Sequence, residues 1–163
     1  MDRIKAGVIG VGYLGRFHAQ KYAALANAEL VGVVDIDPEK AARVAQECQT
    51  RAYTDHRELL PQVQAVSVAV PTTQHYAVVQ DCLRHQVDVL AEKPLATTVA
   101  EAEELVSLAR EQGRILQVGH LERFNPAMEE LTRRVQDPHF IEIHRLSFFK
   151  ERGTDVDVVR DLM

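Results

Sequence analysis

Gly10-Val11-Gly12-Tyr13-Leu14-Gly15 follows directly on the apolar run Ile4 to Ile9 and opens a segment of helical spacing. This placement constrains the chain more than any other feature. A strand that feeds a helix through a tight turn needs a first glycine to make the turn, a second to let another group approach the backbone, and a third to seat the helix close to the strand.

The rest of the sequence continues the alternation. Glu29 to Val34, Ala65 to Val70, Val87 to Ala91 and Ile115 to Val118 read as further strands, apolar almost throughout as buried parallel strands are. Between them lie helical patterns. The first puts Leu14, Phe17, Tyr22 and Leu25 on one stripe, and the second starts at Asp37-Pro38, a capping residue followed by proline. A third follows Thr72-Thr73, with Val79, Cys82 and Leu83 at helical spacing. A fourth carries the capping box Thr98 and Glu101, then Leu105, Val106, Leu108 and Ala109, and stops at Gly113. The pattern predicts an α/β fold, a doubly wound parallel sheet of the Rossmann type with right-handed crossovers.

Two regions are expected: a nucleotide-binding domain over 1–121 and the start of a second domain over 122–163. In the latter, a helix follows Asn125-Pro126 to about Val135, Asp137-Pro138 turns the chain, and His139 to Lys150 reads as a strand holding Phe140, Ile141, Ile143, Leu146, Phe148 and Phe149. That strand has no partner in the sequence, and Val158, Val159 and Leu162 begin a helical pattern that is cut short. A fragment, or strand exchange between copies in a homo-oligomer, is the expectation.

A formal net charge of -5 over 163 residues argues against a nucleic-acid partner, which calls for clustered Lys and Arg. No apolar stretch approaches the roughly 18 residues of a membrane span, and Met1-Asp2-Arg3 leads straight into the first strand. Cys48 and Cys82 form neither a metal spacing nor a disulfide framework and read as packing residues. A cytoplasmic protein is expected.

At the end of the first strand, the helix opening at Gly12, Tyr13 and Leu14 offers N–H groups and a partial positive charge to a pyrophosphate. Asp35, about 20 residues past Gly15 at the end of the second strand, can accept hydrogen bonds from a ribose diol and would repel a 2′-phosphate. NAD(H) is therefore favoured over NADP(H). Val70-Pro71-Thr72 and Glu92-Lys93-Pro94 end the next two long strands, at the carboxyl edge where ligands lie in open α/β sheets. Lys93 there can hydrogen-bond a substrate hydroxyl and assist its proton transfer. His120, Arg123 and Asn125 follow the last Rossmann strand and are candidates to approach the substrate, against a packed histidine, a surface arginine and an Asn-Pro turn. His18, His56 and His85 show no ligand spacing and are left structural or exposed, so no metal is indicated. Two other classes stay open: a domain that senses NAD without turnover, and an S-adenosylmethionine methyltransferase, which also uses a glycine-rich first turn.

Together Gly10-x-Gly12-x-x-Gly15, Asp35, Val70-Pro71-Thr72 with His75, and Glu92-Lys93-Pro94 closely resemble the glucose-fructose oxidoreductase/inositol dehydrogenase (Gfo/Idh/MocA) family over the whole chain. The resemblance implies an oxidoreductase in which Lys93 lies beside nicotinamide and substrate and takes part in catalysis, with Thr72 and His75 bordering the cofactor. It also implies a second catalytic motif, a histidine with nearby aspartates, beyond the position of Met163, and a covering open-sheet domain. These 163 residues are accordingly expected to bind cofactor but to be silent or very weak as a catalyst. Gly119-His120-x-Glu122-Arg123-Phe124-Asn125-Pro126 and Arg152-Gly153-Thr154-Asp155-Val156-Asp157 look like the family branch of UDP-N-acetylglucosamine 3-dehydrogenases. That branch makes a 3-keto sugar for amination toward lipid A. A sugar or nucleotide-sugar substrate is the expectation.

Overall fold

The computed structural model describes residues 3–142 and 144. Strands and helices alternate as β1 (Ile4–Ile9), α1 (Tyr13–Ala24), β2 (Ala28–Val34), α2 (Pro38–Cys48), β3 (Arg51–Tyr53) and α3 (His56–Leu59), the last running into a 3₁₀ turn at Leu60–Gln62. There follow β4 (Ala65–Val68), α4 (Thr72–Arg84), β5 (Asp88–Ala91), α5 (Val99–Gln112), β6 (Leu116–Val118), a 3₁₀ turn at Leu121–Phe124, and α6 (Pro126–Arg134). All strand pairs are parallel, in the order β3-β2-β1-β4-β5-β6. The chain builds outward from β1 to β3, returns to the middle, and builds outward again from β4. The carboxyl ends of β1 and β4 therefore flank the point where winding reverses, which is where such sheets open a crevice.

The sheet is covered on both faces. One apolar cluster joins Leu59, Leu60, Val79, Cys82, Leu83 and Leu105 to the strand residues Val66, Val68 and Val89. The other joins Val8, Val11 and Val33 to Ala19, Val44 and Ala45 of α1 and α2. Strands buried on both faces need no polar alternation, which is why they read as near-continuous valine runs. Burial pushes the Cys82 thiol up to about 12, so it acts as a small apolar side chain. Half-buried Cys48 packs against the second cluster.

Several sequence expectations change. Phe17 and Leu25 are 48% and 49% exposed, and the buried face of α1 is Gly15 and Ala19, with Leu14 and Tyr22 half-buried. Gly15 draws this helix so near the sheet that small residues, not large ones, meet it. On α5, Leu105 and Ala109 are buried while Val106 faces out. β3 and α3 were not expected: Arg51-Ala52-Tyr53 is an edge strand too short to show a period. β4 stops at Val68 because Ala69 and Val70 turn to pack against Gly10. Residues 139–142 and 144 form no strand; the remainder of the expected His139 to Lys150 strand, the Arg152 to Asp157 motif and the pattern around Val158 lie outside the described residues. Among the described residues no helix is long and apolar enough to cross a membrane, and no group of three or more His, Cys, Asp or Glu could hold a metal ion.

Candidate cofactor site

The crevice is built on two approaches that tolerate no side chain. Gly10 has φ +84°, and a Cβ there would lie 2.8 Å from the Ala69 carbonyl and the Val70 nitrogen. At Gly15 a Cβ would lie only 1.8 Å from the Gly10 carbonyl oxygen. These glycines lock the β1–α1 turn against the β4–α4 turn. Gly12 is different, since a Cβ there would meet nothing within 4 Å. Packing within the protein does not require this glycine. It leaves an open cradle at the start of α1, where no side chain caps the helix and no acidic residue sits in the first turn.

The start of α4 repeats that arrangement. Pro71 stands at its N-cap without a side-chain hydrogen bond, buried Thr72 opens the helix, and its first turn again lacks an acid. Beside the cradle, half-buried Asp35 follows β2 directly. Its Oδ2 accepts from the Val11 N–H at 3.0 Å and its Oδ1 from the Asp37 N–H at 3.0 Å. An ionised carboxylate offers about four acceptor positions, so capacity remains for hydroxyls. Tyr13 is exposed, its ring 5.3 Å from Phe17 in an edge contact. An open glycine cradle, two helix starts without side-chain caps and an adjacent carboxylate fit a dinucleotide: pyrophosphate over Gly12, ribose hydroxyls at Asp35.

On the far side of β4, Glu92-Lys93-Pro94 turns the chain after β5 through a cis Lys93–Pro94 bond. Lys93 is half-buried, whereas Glu92 is 6% exposed. His18 Nε2 of α1 meets Glu92 Oε1 at 2.9 Å, His18 Nδ1 meets Ser67 Oγ at 3.0 Å, and Ser67 Oγ meets Tyr22 Oη at 2.8 Å. Burial alone would raise the Glu92 carboxyl. The hydrogen bond from His18, with the Lys93 ammonium beside it, outweighs burial and holds Glu92 below its ordinary value of 4.5. Gly119 leaves room for this carboxylate, since a Cβ would come within 3.2 Å of it. His75, 1% exposed, braces the other end of the turn: Nδ1 lies 2.8 Å from the Pro94 carbonyl oxygen and Nε2 2.9 Å from that of Val70. It therefore joins the Val70-Pro71-Thr72 and Glu92-Lys93-Pro94 segments from beneath, where the sequence had suggested a residue bordering the cofactor.

The remaining candidates separate. His120 and Arg123 are exposed and line a cavity of about 570 Å³ along β6 with Ile115, Gln117 and Phe124. Asn125 caps α6 by accepting from the Ala127 N–H, and its amide donates to Glu122, so the Asn-Pro turn accounts for it. The sequence leaves His18 as structural or exposed, without naming the partners it meets. It was legible as the polar member of the series Gly15, His18, Ala19 and Tyr22, whose spacing keeps one helix face against the sheet. Ser67, the one polar residue in Ala65-Val66-Ser67-Val68, was the second sign.

Fold and crevice define a dinucleotide-binding domain of the Rossmann class. The family model for oxidoreductases with the NAD-binding Rossmann fold, Gfo/Idh/MocA, matches residues 4–120, and the chain belongs to that family. It is 43% identical over 164 residues to the UDP-N-acetylglucosamine 3-dehydrogenase of Acidithiobacillus ferrooxidans, covering 100% of this chain and 52% of that protein. A solved structure of UDP-N-acetylglucosamine 3-dehydrogenase from that organism superposes with a TM-score of 0.91 at 43% identity, over 100% of this chain and 54% of its own. GenD2 from gentamicin A biosynthesis, solved in complex with NAD, gives 0.79 at 28% identity, over 82% of this chain and 39% of its own. The chain thus spans about half the length of the first of these relatives.

Proposed function

We propose that this chain is the cofactor-binding half of an NAD(H)-dependent dehydrogenase acting on a CH–OH group of a nucleotide sugar, with oxidation at C3 of UDP-N-acetylglucosamine as the specific reaction. The observation that carries the reading is the juxtaposition of the open Gly12 cradle and Asp35 with Lys93 at the same carboxyl edge of the sheet. Likeness to a UDP-N-acetylglucosamine 3-dehydrogenase along the whole chain supports the substrate.

When bound, NAD supplies the hydride acceptor. Gly10, Gly12 and the start of α1 would hold the pyrophosphate, and Asp35 the adenosine ribose. Lys93 would hold the substrate hydroxyl through its Nζ and steady the departing proton. The residues beneath, Glu92 and His75, keep that lysine in place and do not touch substrate. We further read the protein as a cytoplasmic homo-oligomer whose keto-sugar product feeds an amination step toward lipid A.

The test is a titration of the chain with NADH and NADPH in parallel, followed by nicotinamide fluorescence. NADH is expected to bind more tightly, and Asp35→Ala to weaken it about 10- to 100-fold, the worth of a charge-assisted hydrogen bond. Equal affinity for both cofactors would remove the role given to Asp35. Thermal stabilisation by S-adenosylmethionine, and by neither nicotinamide cofactor, would overturn the oxidoreductase reading.

A further inference from the structure

Lys93 stands on a turn, and turns hold a side chain only as well as their anchors allow. One anchor is a part-buried polar chain running along the α1 face of the sheet: Tyr22 Oη, Ser67 Oγ, His18 Nδ1, His18 Nε2 and Glu92 Oε1, with successive distances of 2.8, 3.0 and 2.9 Å across the three gaps between residues. Glu92 is the chain neighbour of Lys93 and opens the turn that passes through the cis Lys93–Pro94 bond, so holding its side chain holds the start of that turn.

The chemistry of the partners gives this chain one self-consistent direction with a neutral ring. An ionised Glu92 can only accept, so His18 Nε2 must carry a hydrogen and donate it. Nδ1 of that neutral tautomer then accepts from the Ser67 hydroxyl, and Ser67 in turn accepts from Tyr22. Every donor is used. No buried side-chain nitrogen or oxygen among the described residues lacks a partner, and the arrangement needs no net charge on the histidine. A carboxylate fixes a histidine tautomer in many metal sites; Glu92 does the same here, and the ring in turn ties that carboxylate to Ser67 and Tyr22.

We propose that His18 is a positioning residue for Lys93: a neutral ring, its tautomer set by the Glu92 carboxylate, donates to Glu92 and accepts from Ser67, and so anchors the turn on which Lys93 stands. Because His18 lies on the helix that the glycine turn opens, the same contact ties the phosphate end of the crevice to its reactive end. The inference rests on the proposed function for its consequence, since a misplaced Lys93 matters to a nicotinamide beside it, but not for its geometry.

The experiment uses nuclear magnetic resonance of the 163-residue chain without cofactor, then NADH titration. The His18 ring is expected to show a pyridine-type Nδ1 and a pyrrole-type Nε2 at neutral pH. His18→Asn keeps a group near Nδ1 but not near Nε2, and is expected to shift the Lys93 amide resonance. His18→Gln can still donate to Glu92 and is expected to restore the resonance. In the titration, His18→Asn should weaken NADH about 2- to 10-fold, the net worth of one hydrogen bond, and His18→Gln should recover it. An unmoved Lys93 amide in His18→Asn, or recovery by Asn and not Gln, overturns the proposal.

Should His18→Asn fail to fold, Ser67→Ala leaves His18 and Glu92 in place and removes only the donor to Nδ1. The Nε2–H tautomer is then expected to persist, because Glu92 can only accept, and a switch to the Nδ1–H tautomer overturns the direction assigned to the chain. Failure of the wild-type chain to bind NADH would strike the proposed function while leaving these cofactor-free spectra to decide the role of His18.

Discussion

The helix starts fall into two groups. α2, α3, α5 and α6 each carry their own cap: Asp37, Asp55, the reciprocal pair Thr98 and Glu101, and Asn125. α1 and α4, which follow the two strands flanking the winding reversal, begin at Gly12 and Pro71 without any side-chain cap. Every helix has backbone N–H groups at its start that need acceptors. Four helices satisfy theirs locally and gain stability. The two at the crevice lack a side-chain cap, and a phosphate group would fit at their starts.

The contrast can be broken at several points. The largest effect is expected at Gly15→Ala, where the new Cβ would meet the Gly10 carbonyl at 1.8 Å in backbone that cannot move aside. A loss of about 3 kcal/mol in chemical denaturation is expected. A loss under about 0.5 kcal/mol would mean that the two turns are not locked together as described.

Next in size is a pair of opposite changes. Gly12→Asp gives α1 the cap that α2 already has, so stability should hold or rise by about 0.5–1 kcal/mol while NADH binding disappears. Thr98→Ala takes a cap away and should cost about 1 kcal/mol with no change in NADH affinity. If Gly12→Asp bound NADH normally, the open helix start would not be the phosphate site.

Smallest is the response to acid. Burial would raise the Asp81 carboxyl, but hydrogen bonds from Arg57 and His56 bring it below its ordinary 3.8, as His18 and Lys93 bring Glu92 below 4.5. A carboxylate whose pKa is depressed on folding adds stability that is present above its ordinary value and lost as pH falls through its folded one. The urea midpoint should therefore decline as pH drops below about 4.5, with Glu92→Gln flattening the first part of the decline and Asp81→Asn the later part. An unchanged slope in both variants would deny these carboxylates a part in acid stability.

What could be read from sequence was what is encoded locally. The glycine turn, the caps at Asp37 and Thr98 and the stop at Gly113 each lie within a few residues, and each appears in the structure where expected. The stripe on α1 was misplaced because a hydrophobic pattern assumes that large residues face inward, whereas Gly15 brings this helix too close for them. β3 escaped notice because three residues at a sheet edge carry no period. In the site, Gly12, Asp35 and Lys93 stand on motifs. The His18–Glu92 contact joins positions 74 residues apart, and only the winding of the sheet brings them together. His75 was noticed as part of a motif, yet its brace between the Val70 and Pro94 carbonyls depends on where two separate turns end.

The position of β1 has a consequence in time. It precedes the other strands of this sheet in the chain and is one of its two central strands, bonded on one side to β2 and on the other to β4. A chain emerging from a ribosome can pair β1 with β2 early, while the Gly10 turn waits for Ala69, against which it packs, and the Lys5 carbonyl waits for the Gln64 N–H. The half-sheet β1-β2-β3 thus precedes the crevice in the order of manufacture, and the cofactor cradle cannot close until β4 threads in beside a strand made some sixty residues earlier.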